Sequence, residues 1–301
     1  MKKLTTVQFE QAAHYVMTYG REVDQRLFEF HFLDGSNDDV LNALVAYQND
    51  DGGLGHSIEP DIRSPHSSPI ATSIGMQFVR EVNAPWKHPI VKSMMSYFTN
   101  VYEKYGYWPL KLSHMNDYPR ADWWSYSQDT KTFEANPGAE IVGYYHIYPQ
   151  CMTRNLLPSL HDHVFQYIEN VNKPLEFHEL LCYVRLVNGM PDPGKAMIID
   201  ILREQAKDII TYDTAKWSNY CAKPLWSAPT PNSPLANVLR DAINKNLDYE
   251  IENQTSDGSW VPFWEWGQYR EVWEEKAKPE WKSWLTVQTL KALHAYERIE
   301  N

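Results

Sequence analysis

Gln48-Asn49-Asp50-Asp51-Gly52-Gly53-Leu54-Gly55 decides the fold, because it recurs as Gln254-Thr255-Ser256-Asp257-Gly258-Ser259-Trp260. The copies align residue for residue from the glutamine through the Asp-Gly pair, and a repeated unit governs how the rest of a chain is read. In each copy a helix-forming run stops, a glycine turns the chain and a loop rich in polar or aromatic residues follows. Glutamine at such a stop can bond orphan carbonyls, aspartate can accept amide hydrogens of the turn, and glycine fits where a side chain would clash. The repeat reads as a structural staple, and it directs attention to the loops just downstream.

Working outward, Val7, Ala12, Tyr15, Val16, Val23, Leu27, Phe28 and Phe32 recur at three- and four-residue steps, which predicts one helix, or two broken near Gly20. Asp38 is expected to cap the helix that carries Val40, Leu41, Leu44 and Val45. Ser68-Pro69 opens another. The same periodicity predicts helices over 89–104, from Asn136-Pro137-Gly138-Ala139-Glu140 onward, and over 155–171, 174–187, 194–210, 235–251 and 280–298. Tyr105-Gly106-Tyr107-Trp108 is a partial third copy of the stop. Aligning the two full copies on their second glutamines sets residues 72–77 against 283–288. No segment shows β alternation.

The 301 residues carry 28 basic and 39 acidic side chains, a net charge of −11, which repels nucleic acid and anionic lipid. No stretch approaches the roughly 18 apolar residues of a membrane span. After Lys2-Lys3 the N-terminus turns amphipathic and acidic, so it reads as a helix of the fold and not as a signal peptide. Cys151, Cys182 and Cys221 have neither the number nor the spacing of a disulfide framework or zinc knuckle, and a cytoplasmic location is expected. The 12 Trp and 19 Tyr fall mostly outside the helical runs, as the lining of a cavity or its mouth would.

The Gln-x-x-Asp-Gly-(Gly/Ser)-(Leu/Trp) signature resembles the QW-type repeat of the terpenoid cyclase and protein prenyltransferase α/α-toroid superfamily, at 48–55, at 254–260 and partially at 105–108. That resemblance implies an all-α fold in which an outer helix ends at each stop and an inner helix lines a central cavity. The expectation is a single α/α-toroid (barrel) domain over residues 1–301, built from five to six helical hairpins. The catalytic motifs of the family are missing: the chain has no Asp-x-Asp-Asp, no Asp-x-Cys zinc pair and no Asp-Asp-x-x-Asp. No metal or cofactor is therefore expected, and the chemistry of the family does not carry over.

Candidate acids lie in the rich loops and at the helix start that follows one of them: Glu59 and Asp61, then Asp122, then Glu140, then Glu265. Glu265 stands between Trp264 and Trp266, and enclosure by indoles would raise its carboxyl pKa as a general acid requires. Two such groups roughly 5–10 Å apart could cleave a glycoside. The plainer alternative is that Glu140 and Asp122 cap helices while Glu59 and Asp61 pair with Arg63 or stay solvated. His56 and His66 could join Asp61 around zinc, yet lone loop histidines are mostly surface residues. At most one of His178 and Glu179 can line a cavity. His56, Trp108, Trp123, Trp124, Trp260, Trp264 and Trp266 are the candidate ligand-binding residues. Indoles can cradle an isoprenoid chain, stack on sugars or simply plug gaps between helices.

The reading that follows is a protein that binds or acts on a small apolar or isoprenoid-like compound in an aromatic, acid-rimmed cavity. A carbohydrate-active enzyme with paired carboxylates and a non-catalytic helical scaffold are the alternatives.

Overall fold

A computed structural model describes residues 1–128, 132–171 and 174–300. Among the described residues there are helices and three isolated bridges but no strand, in agreement with the all-α expectation. In chain order the helices are α1 (Thr6–Tyr19), α2 (Glu22–Phe32), α3 (Asn37–Val45), α4 (Pro69–Glu81), α5 (Pro89–Tyr105) and α6 (Ala135–Ile147). They continue as α7 (Leu157–Asn170), α8 (Phe177–Gly189), α9 (Gly194–Ile209), the short α10 (Pro224–Ser227), α11 (Arg240–Glu252), the single turn α12 (Arg270–Val272) and α13 (Lys278–Ala295). No helix among them is long and apolar enough to cross a membrane.

Backbone contacts divide the chain into two compact units. One comprises Met1–Ala43 with Ile209–Asn301, the other Leu44–Asp208. In the first unit α1, α2 and α13 pack together around Val16, Leu27 and Phe28, all fully buried. Asp24, also fully buried there, receives two hydrogen bonds from the Arg21 guanidinium, at 2.8 and 3.0 Å, which satisfies a charge that apolar surroundings could not. In the second unit α6 packs against α4, α7 and α8. The approach of α6 to α8 is close because Gly143 faces Leu186; a Cβ on that glycine would lie 3.0 Å from the Leu186 Cα.

The helix rhythm follows the sequence, with two corrections. The cap of α3 is Ser36, whose Oγ accepts the Asp39 amide at 3.1 Å, so the helix begins ahead of the expected cap Asp38. The other correction concerns the repeat. Leu54 donates its amide to Thr72 Oγ1 at 2.9 Å, and Trp260 donates its amide to Thr286 Oγ1 at 3.1 Å. Thr72 is therefore the counterpart of Thr286, three residues beyond the position the glutamine alignment gives it. A three-residue slip is close to one helical turn, so apolar periodicity barely penalises it.

The turns themselves coincide bond for bond. Gln48 Nε2 donates to the Gly52 carbonyl at 3.2 Å, and Gln254 Nε2 donates to the Gly258 carbonyl at 2.9 Å. Asp51 accepts the Gly53 amide at 3.0 Å, and Asp257 accepts the Ser259 amide at 3.1 Å. Gly52 and Gly258 both have φ of +87°, the left-handed region in which a side chain is strained. The partial copy belongs to the set: Gly106 has φ of +78°, and the Trp108 Nε1 bond to the Phe98 carbonyl, 2.9 Å, matches that of Trp260 to the Glu250 carbonyl, 2.8 Å. Each indole reaches a carbonyl ten residues back.

Candidate functional site

Three helices of the second unit each place polar side chains on one acid. Glu140, on α6 and 2 % exposed, accepts at Oε1 from the Tyr144 hydroxyl at 2.6 Å. Its Oε2 accepts from Arg185 Nη1 on α8 at 3.1 Å and from Gln77 Nε2 on α4 at 3.3 Å. The Cys182 thiol lies 3.7 Å from the same oxygen and 3.7 Å from Asn136 Oδ1. Tyr144 and Glu140 are four apart on α6, and Cys182 and Arg185 three apart on α8, so helical geometry alone puts each pair on one face.

The protonation states follow from the surroundings. Burial, reinforced by the Glu140 charge, pushes the Tyr144 phenol and the Cys182 thiol well above their ordinary values. Both keep their protons and serve as donors, and Cys182 is no nucleophile. Glu140 thus gathers donors from three helices and orients Arg185. The Arg185 side chain is 35 % exposed, and of its three nitrogens only Nη1 is engaged among the described residues.

A second polar region of the same unit lies in the loops after Gly55 and after Leu112. They are joined by antiparallel backbone bonds: the Ala121 amide to the Asp61 carbonyl at 3.0 Å and the Arg63 amide to the Pro119 carbonyl at 3.0 Å. Glu59 and Asp61 are buried, at 6 % and 4 % exposure, and Glu59 Oε1 accepts the Asp61 amide at 3.3 Å. Asp122, the next residue along, is exposed and starts a short 3-10 turn. His66 Nε2 meets the Tyr118 hydroxyl at 3.2 Å, and His114 Nδ1 meets Ser64 Oγ at 3.0 Å. Burial, with His66 nearby, lowers the His114 pKa. His56 is exposed, has φ of +51° and is 2.9 Å from Asn49 Oδ1, so it is a turn residue tied to the repeat. Among the described residues no three His, Cys, Asp or Glu side chains are grouped to hold a metal ion.

The aromatic candidates separate into plugs and surface rings. Trp108 is fully buried and Trp260 is 4 % exposed, each with its indole N–H spent on a backbone carbonyl, so neither presents a face to a ligand. Trp266 is buried against Trp273 with ring centres 5.8 Å apart. Trp124 is buried, and Trp123 is 43 % exposed. Trp264 is partly exposed and belongs to a cluster of indoles in the first unit. Glu265 is exposed, so the enclosure by flanking indoles that would make it a general acid is absent. Glu179 accepts the Glu176 amide at 2.8 Å and the Tyr167 hydroxyl, while His178 Nδ1 faces Glu176 Oε1 at 3.0 Å.

Of the candidate acids, then, Glu140 occupies a built site, and Glu59 and Asp61 sit in an ordered buried loop. Arg185, Gln77, Tyr144 and Cys182 escaped the sequence reading. The signals that could have found them are the Glu140–Tyr144 and Cys182–Arg185 spacings, i,i+4 and i,i+3 on their helices. Compared with known proteins, the chain matches no family model, no curated protein and no solved structure.

Proposed function

We propose that the protein binds a small isoprenoid-like compound, with an apolar body and an anionic head, inside an α/α toroid of terpenoid-cyclase type. The observation that carries this reading is Arg185: a guanidinium aimed by a buried carboxylate, with its remaining donors unengaged among the described residues. The planar fork of arginine matches carboxylate and phosphate oxygens, and pre-orientation by Glu140 lowers the entropy lost on binding. The repeated stops at 48–55 and 254–260, and the partial stop at 105–108, support the toroid. Glycoside cleavage fits less well, since it needs a protonated acid facing a second carboxylate. Glu140 is committed to donors and Glu265 is open to water.

The test is a thermal-shift series with geranyl diphosphate, geraniol and cellobiose on the wild-type chain and on Arg185→Gln. Geranyl diphosphate is expected to raise Tm, geraniol less and cellobiose not at all, with the diphosphate shift lost in the variant. An unchanged wild-type Tm with the diphosphate, or equal shifts in both proteins, would sink the reading.

A further inference from the structure

Four indoles of the first unit form a closed circuit. Trp226 lies 6.1 Å from Trp264, Trp264 lies 5.0 Å from Trp281, Trp281 lies 5.5 Å from Trp284, and Trp284 lies 6.3 Å from Trp226, centre to centre. The interplanar angles at these steps are 84°, 83°, 85° and 74°, so each ring stands nearly upright on its neighbour. Edge-to-face contact sets the positive rim of one ring against the negative face of the next and makes the group cohesive. All four indoles nevertheless remain partly exposed. That separates them from Trp108 and Trp260, which fill the core and bond their N–H groups inside it.

The chain already places a cation on Phe263, a ring that borders this cluster. Phe263 stands 5.6 Å from Trp226 and 5.0 Å from Trp264, and the Lys223 ammonium lies 4.6 Å from the Phe263 ring centre. That buried ammonium is balanced by Glu250 Oε1 at 3.1 Å. The polar atoms of the four indoles are N–H groups, which donate and cannot accept. A cation without hydrogen-bonding protons needs no acceptor from the rings. Exposed Glu265, beside Trp264, and the net charge of −11 favour a positive ligand.

We propose that the four-indole cluster is a binding site for a small quaternary-ammonium compound, held by cation–π contact with the indole rings. The site lies wholly in the first unit and does not depend on the Arg185 reading.

The full chain is titrated calorimetrically with choline chloride against matched sodium chloride, and with 3,3-dimethylbutan-1-ol, which has the same shape without the charge. Phosphatidylcholine vesicles form a separate arm. Choline is expected to bind about 10-fold more tightly than the neutral alcohol, in line with one or two desolvated cation–π contacts. Trp264→Leu should weaken choline several-fold, and Trp264→Phe, which keeps a ring, should weaken it less. Binding to free choline assigns a soluble ligand; binding to vesicles alone assigns the same head group on a lipid. Equal affinity for choline and the alcohol, or binding to neither choline nor vesicles, overturns the proposal. The Phe variant guards against loss of the fold, because a purely structural role for Trp264 would not grade choline affinity by ring type.

Discussion

The two full copies of the repeat share their turn and differ in what the turn holds. In the first, the side chains reach forward into their own loop: Asn49 Nδ2 donates to the Pro65 carbonyl at 3.0 Å and to Ser67 Oγ at 2.9 Å, and Ser67 Oγ donates to Asp51 at 2.7 Å. In the second, they reach into helices: Gln254 Nε2 donates to the Gln8 carbonyl of α1 at 2.8 Å, and Lys282 of α13 donates to Asp257 at 2.6 Å. The span from turn to anchoring threonine is 18 residues in the first copy and 26 in the second. One device thus serves two ends. The first copy orders a polar loop with buried Glu59 and Asp61, and the second fastens helices together and leaves its loop to carry aromatic rings.

The sharpest way to break this comparison is at the glycines. A Cβ on Gly52 would lie 2.5 Å from the Ser93 carbonyl oxygen, and one on Gly258 would collide with the Gln11 carbonyl. Gly52→Ala and Gly258→Ala are each expected to cost about 2–4 kcal/mol by urea denaturation, combining a positive φ with a backbone clash. If either variant is as stable as wild type, the shared turn is not the constraint described here.

A smaller effect is expected at the threonines. Thr72→Val and Thr286→Val each strip the partner from a buried amide, that of Leu54 or of Trp260, at about 1–3 kcal/mol. Similar losses in the two variants would sharpen the equivalence of Thr72 and Thr286. A loss in one alone would favour the alignment three residues away.

The smallest effect separates the two aspartates. Burial works against ionising Asp257, but hydrogen bonds from Lys282, Ser259 and Thr255 outweigh it and hold the carboxyl well below its ordinary value. A carboxyl lowered in the folded state contributes stability that is complete above its unfolded pKa, about 4, and is lost as pH falls toward the folded value. Asp257→Asn should therefore lower Tm at pH 7 and flatten the fall in Tm below pH 4. Asp51 is bonded to Ser67 and the Gly53 amide with no cation among the described residues, and Asp51→Asn should lower Tm at pH 7 less than Asp257→Asn does. A larger loss of Tm at pH 7 from Asp51→Asn than from Asp257→Asn would invert the comparison.

The helices and their stops were legible because apolar periodicity and Asp-Gly pairs are local signals. Where the reading slipped, it did so by amounts that local signals do not resolve: Ser36 and Asp38 are both good caps, and only the observed bond to Asp39 selects between them. The site was legible in one residue. Glu140 could be singled out as a carboxylate near a helix start, but its partners beyond Tyr144 come from α4 and α8, brought together by packing such as that of Gly143 on Leu186. Glu265 shows the opposite failure, since flanking indoles in the sequence do not guarantee enclosure in space; Trp266 turns inward while Glu265 stays in water.

The indoles of Trp108 and Trp260 carry one more consequence. Each N–H is sealed from solvent by a bond to a carbonyl ten residues earlier, Trp108 in one unit and Trp260 in the other. An indole proton so placed exchanges with deuterium only when its own unit opens. The chain therefore contains two built-in clocks, resolvable side by side in a single nuclear magnetic resonance spectrum, that tell whether its units open together or one at a time.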